Sequence, residues 1–137
     1  VKRTPLAKKG KSDVAKLQKE CDKYLTPIAK LLHPKCEGCG QETTVGHHWI
    51  EKSRSNRLRH DPLNIIGLCQ SCHVKIHNRF GNNIVGGLDI AQKIINQRGI
   101  EWKEEMDMVG REIVKTNAVW YEKQRDNLED VLFHHIQ

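Results

Sequence analysis

Two Cys-x-x-Cys pairs, Cys36/Cys39 and Cys69/Cys72, frame the middle of this chain, and His47, His48, Asn64, His73 and His77 lie between or beside them. No other feature constrains the fold as strongly. Each pair has the bite that lets two thiolates reach one metal, and two pairs complete a closed tetrahedral zinc site. Such a zinc clamps together the two ends of the segment between them. It also leaves the histidines without a place in its coordination sphere, so they need a separate role.

Composition shows why a staple helps. A chain of 137 residues suits one domain with a modest core. Hydrophobic content of 37% and aromatic content of 5% are low, so a structural metal supplements that core. No apolar run approaches the roughly 20 residues needed to cross a bilayer. Val1-Lys2-Arg3-Thr4-Pro5 lacks the apolar heart of a secretory signal. Four cysteines at metal spacing and no export signal point to zinc in a reducing cytoplasm rather than to disulfides. Cys21 stands apart at an apolar helical position and is expected to be a buried, inert thiol.

The net charge of +6 is unevenly spread. Residues 1–60 hold 14 Lys/Arg against 6 Asp/Glu, whereas residues 81–137 hold 7 against 10. A basic front half predicts a polyanionic partner, and the acidic tail predicts a protein contact or a solvated face.

Four segments follow from the pattern. Residues 1–11 are Lys-rich and aperiodic, and are expected as a basic flexible arm. Residues 12–34 carry Val14, Leu17, Cys21, Tyr24, Leu25, Ile28 and Leu31/Leu32 at helical spacing. Pro27 either opens a second helix there or kinks one. Residues 35–82 read as knuckle, strand (43–50), polar loop, short strand (64–68) and a helix from Gln70. Residues 83–137 read as a helical extension, expected to pack on the core, form a homodimer face or dock a protein partner. The predicted class is α+β and mostly helical.

Within the third segment the chemistry concentrates. His73 and His77 are four apart on one helical face and make a natural pair of ligands. His47 and His48 are neighbours on a strand, so their side chains point to opposite sides. One can ligate while the other stands by as a base, and a neutral imidazole is suited to taking a proton from water. Three ligands leave open positions on a metal, as a catalytic ion requires.

The run from Cys36 to His77 resembles the HNH endonuclease motif, the ββα-metal fold, with the zinc knuckles many members carry. The doublet His47-His48 matches the opening pair, Asn64 the middle Asn and His73 the closing His. His77 matches the extra ligand of members with an H-x-x-x-H helix, as in the DNase colicins. Members commonly have Asp where this chain has His47, and the colicin-like subset has His. The resemblance implies that His47, His73 and His77 bind one catalytic divalent metal and that His48 is the general base. Asn64 would brace the loop that carries His48. The implied reaction is hydrolysis of DNA to 5′-phosphate and 3′-hydroxyl ends, by nicking or double-strand cleavage. An all-imidazole site suits Zn, Ni, Co or Mn, with Mg also able to serve.

Lys52, Arg54, Arg57 and Arg59, in the loop between the strands, are candidate phosphate clamps, as are Lys75 and Arg79 on the metal-bearing helix. His33, His60, His134 and His135 match no ligand spacing and are expected at the surface. A looser likeness to phage recombination endonucleases of the NinG type rests on the run Leu17–Leu25 and on Leu58-Arg59-His60-Asp61-Pro62-Leu63-Asn64. Those proteins end their knuckle with Cys-Asn, whereas this chain has Cys72-His73. The likeness implies a phage or mobile-element source and action in the host cytoplasm. The alternative function is a non-catalytic zinc-stapled module that binds nucleic acid or a partner.

Overall fold

A computed structural model describes residues 3–77 and 86–134, with residues 3–12 described by backbone alone. Five helices and a two-stranded antiparallel sheet are found among them: α1 (Arg3–Leu32), β1 (Val45–His48), β2 (Ile65–Leu68), α2 (Gln70–His77), α3 (Gly87–Arg98), α4 (Ile100–Val109) and α5 (Ala118–His134). The class is α+β and mostly helical, as the sequence predicts.

Helix α1 is longer than expected. It begins at Arg3, inside the stretch read as a flexible arm, and continues through Pro27. Of the two readings of Pro27, the structure has the single helix. Proline offers no N–H to the carbonyl four residues back, which weakens a helix interior. Here Leu25, Ile28 and Ala29 are buried around it, and that packing outweighs the local penalty. The neighbouring Thr26 hydroxyl accepts a hydrogen bond from Gly46 N–H at 3.2 Å.

The sheet is short but central. Val45 pairs with Leu68, Gly46 with Gly67, His47 with Ile66 and His48 with Ile65. Alternation divides β2 between two cores: Ile65 joins Cys21, Leu25, Ile28 and Leu128, while Ile66 and Leu68 join Cys36, Ile76, Ile94 and Met106. Helices α1 and α5 therefore cover one face of the sheet, and α2, α3 and α4 the other.

Close approach of α1 depends on the paired glycines. A Cβ on Gly46 would lie 2.8 Å from the Leu25 carbonyl oxygen, and one on Gly67 would lie 2.8 Å from that of His33. The C-terminal extension packs on the core through Ile90, Ala91, Ile94, Met106, Tyr121 and Leu128. No helix among the described residues is long and apolar enough to cross a membrane.

An ionic clasp fixes α3 to the knuckle. Arg98 donates through Nε to Glu37 Oε1 at 2.7 Å and through Nη2 to Oε2 at 2.9 Å, and it also reaches the Leu63 and Ile65 carbonyls. Glu37 Oε2 accepts Gly67 N–H from β2. Pairing this complete is what makes a buried carboxylate and guanidinium tolerable.

Candidate metal centre

The four cysteine sulfurs gather at the base of the sheet, all within 4.8 Å of one another. Cys36 and Cys39 come from a glycine-rich turn that precedes β1. Gly40 there takes φ 83°, a left-handed conformation that glycine adopts without strain, and its N–H returns to the Cys36 carbonyl. Gly38 leaves room for the sulfurs, because a Cβ at that position would lie 2.8 Å from Cys72 Sγ. Its N–H donates to Cys36 Sγ at 3.3 Å. Cys69 and Cys72 arrive from the β2–α2 junction.

The donor set fits a tetrahedral zinc. Zn–S bonds near 2.3 Å place sulfurs roughly 3.8 Å apart, and Cys39 Sγ and Cys69 Sγ are 3.6 Å apart. Burial opposes ionisation of Cys69, but the Cys72 N–H and the three neighbouring thiols bring its pKa down to about 7.

The second cluster lies on the α2 side of the sheet. His47, paired with Ile66, faces α2, where His73 and His77 occupy one helical face and Cys72 and Ile76 the buried one. Ligand nitrogens of the three histidines also fall within 4.8 Å of one another. Their rings stand edge to face, 4.4 to 5.2 Å between centroids, and His73 Nε2 and His77 Nε2 approach to 2.8 Å. Three imidazole nitrogens converging in this way, with no carboxylate among them, suit a borderline divalent ion. Burial, with the neighbouring His77, lowers the His73 pKa and keeps its lone pair available.

His48 takes the opposite direction, as strand alternation predicts. Its Nε2 lies 2.9 Å from the Arg59 carbonyl oxygen, so Nε2 carries the proton and Nδ1 keeps the lone pair. Burial pulls its pKa below the ordinary imidazole value, and the Arg59 carbonyl opposes that shift without reversing it. His47, His48, His73 and His77 nonetheless share one cleft of about 480 Å³, completed by Gly46, Glu51, Lys52 and Ser53.

Asn64 is fully buried and staples the two ends of the intervening loop. Its Oδ1 accepts Ile50 N–H at 2.8 Å, and its Nδ2 donates to the Ile50 and Leu58 carbonyls. Its own carbonyl accepts Trp49 N–H at 2.8 Å. The Asn64 amide thereby ties the residues just after His48 to those just before Arg59.

Of the basic residues expected near the metal, the structure brings Lys52 into the cleft. Arg54 lines a different hollow, beside Asp107, Arg111 and Glu112. Arg57 pairs with Asp61 at 3.1 Å and Glu112 at 3.6 Å, and Arg59 pairs with Asp22 at 2.9 Å. Lys75 is half-buried on α2, and Arg79 lies outside the described residues.

Residues 36–79 match the HNH endonuclease family. The match covers about a third of the chain and spans both metal clusters, His48 and Asn64. The matched segment contains the whole run from Cys36 to His77 that carries the resemblance. Comparison with curated proteins and with solved structures gave no match, so the looser likeness to phage recombination endonucleases gains no support.

Two expectations about histidines need correction. His60 is not at the surface: it is 2% exposed, with Nε2 2.7 Å from Asp22 Oδ1 and the Tyr121 ring packed edge-on against it. His33 is half-buried beside Glu37 and Arg98. His134 is exposed as expected, and His135 lies outside the described residues. Cys21 is buried as expected, and burial, the largest influence, pushes its thiol up to about 11.

Proposed function

We propose that this chain is a metal-dependent endonuclease that hydrolyses phosphodiester bonds of DNA, with His47, His73 and His77 holding one divalent ion. The observation that carries the reading is the position of His48. It shares a cleft with the three-histidine cluster and is held by one ring nitrogen while the other keeps its lone pair. A zinc-stapled binding module would need neither a tethered imidazole there nor the Asn64 brace behind it.

His48 Nδ1 accepts a proton from water, and its depressed pKa keeps it neutral, and so basic, at physiological pH. The Arg59 carbonyl holds the Nε2 proton and becomes a stronger partner once the ring is charged. Asn64 keeps that carbonyl and the His48 strand in register. Lys52, at the mouth of the cleft, supplies a cation for a backbone phosphate. A bound divalent ion would stabilise the charge that develops on the scissile phosphate and the departing 3′ oxygen. Arg57 and Arg59 already answer carboxylates, so direct phosphate contact falls mainly to Lys52 and Lys75.

Supercoiled plasmid incubated with the zinc-loaded protein and Mg, Mn, Ni or Zn tests this reading. Nicked or linear product with 5′-phosphate ends is expected in at least one metal. Intact plasmid in every metal, together with retardation on a gel, would favour the binding module instead.

A further inference from the structure

Asp22 lies on α1, outside the HNH segment, and does not line the histidine cleft. Its carboxylate nevertheless grips two consecutive residues of the loop. Oδ2 accepts from Arg59 Nη2 at 2.9 Å, and Oδ1 accepts from Arg59 Nε at 3.4 Å and from His60 Nε2 at 2.7 Å. The peptide group between those two residues contains the carbonyl oxygen that holds His48 Nε2.

We propose that Asp22 is a positioning residue for His48, acting through the Arg59 carbonyl. The inference rests on the reading of His48 as the general base. A carbonyl direction is set by the backbone torsions on either side of its peptide, and here the side chains on both sides are tied to one rigid helical carboxylate. Planar guanidinium pairing fixes direction as well as distance. His60 cannot swing away, because it is buried against the Tyr121 ring. Tyr121 is held in turn by Gln18, whose Nε2 donates to its hydroxyl at 2.9 Å. Helix α5 thus backs the same peptide, which gives the C-terminal extension a part in aiming the base.

The decisive readout does not depend on catalysis. In ¹⁵N-histidine spectra of the zinc-loaded full chain, His48 should be the Nε2–H tautomer. In Asp22→Ala, and in Asp22→Asn, it should relax toward a mixture of both tautomers. In plasmid nicking, kcat of Asp22→Ala should fall roughly 10- to 100-fold while KM moves by less than about twofold. Nickel binding by the three histidines should not change, and Asp22→Glu should recover part of the loss. In a His48→Ala background, Asp22→Ala should remove nothing further. Should Asp22→Ala fail to fold, Asp22→Asn carries the same comparison. A His48 tautomer unaltered in the folded Asp22 variants would overturn the proposal, as would an equal loss with and without His48. Absence of cleavage by the wild type would sink the nuclease reading alone, leaving the tautomer to decide the role of Asp22.

Discussion

His48 Nε2 and the Arg59 carbonyl oxygen lie 2.9 Å apart, and this contact joins the last residue of β1 to the far end of the loop that follows it. Asn64 closes the same loop from beneath, and Asp22 grips it from α1. An imidazole delivered from a strand is thus fixed by three elements that are distant in sequence.

The two metal clusters should separate by mutation. Cys69→Ala should fail to hold zinc and should unfold the segment between the cysteine pairs, because zinc binding and folding are coupled in so small a unit. His73→Ala and His77→Ala should each retain one zinc per chain. Metal analysis after dialysis, with thermal melts, checks both. Equal zinc loss from cysteine and histidine variants would contradict the division.

Asn64→Ala should cost about 2–4 kcal/mol, since it removes the partner of the Ile50 N–H and carbonyl and leaves the Leu58 carbonyl with the Asp61 N–H alone. Asn64→Asp keeps the acceptor but sets a carboxylate oxygen against two carbonyls, and should not rescue. Urea unfolding of the three proteins measures this, and a change under about 0.5 kcal/mol in Asn64→Ala would deny the bracing role.

Gly46→Ala and Gly67→Ala should each destabilise by about 1–3 kcal/mol, because the added Cβ meets a backbone carbonyl oxygen at 2.8 Å, that of Leu25 in α1 or of His33 just past its end. Gly40, where an added Cβ would meet nothing within 4 Å, is limited by its left-handed φ instead of by space. Wild-type stability in the Gly46 and Gly67 variants would show that α1 does not sit so close to the sheet.

Asp22 predicts a response to acid. Burial opposes its ionisation, yet hydrogen bonds from His60 and Arg59 outweigh burial and hold the carboxyl well below its usual range. A carboxyl depressed on folding stabilises the native state fully above its unfolded value, about 3.9. That contribution fades as pH falls toward the folded value. The gap in Tm between wild type and Asp22→Asn should therefore be widest near neutral pH and shrink below about pH 4. A gap that widens in acid would show the opposite linkage.

What the sequence reveals here is local, and what it hides is long-range. The cysteine bites, the four-residue step from His73 to His77 and the alternation of His47 and His48 are set by backbone periods, so they can be read directly. Pro27 leaves two readings open because the packing that decides between them, burial of Leu25, Ile28 and Ala29 on both sides, is tertiary. No spacing connects Asp22 to the neighbours Arg59 and His60; their contact exists only once α1 lies across the loop. The Glu37–Arg98 clasp is hidden in the same way, although a charged residue inside a cysteine knuckle was a hint that it needed a partner.

Comparing the nicking rates of wild type and His48→Ala, at matched occupancy of both metal sites, tests the catalytic reading most directly. Loss of a general base predicts a fall of at least about 100-fold in the variant, with DNA retardation unchanged. Equal nicking by the two proteins would contradict it.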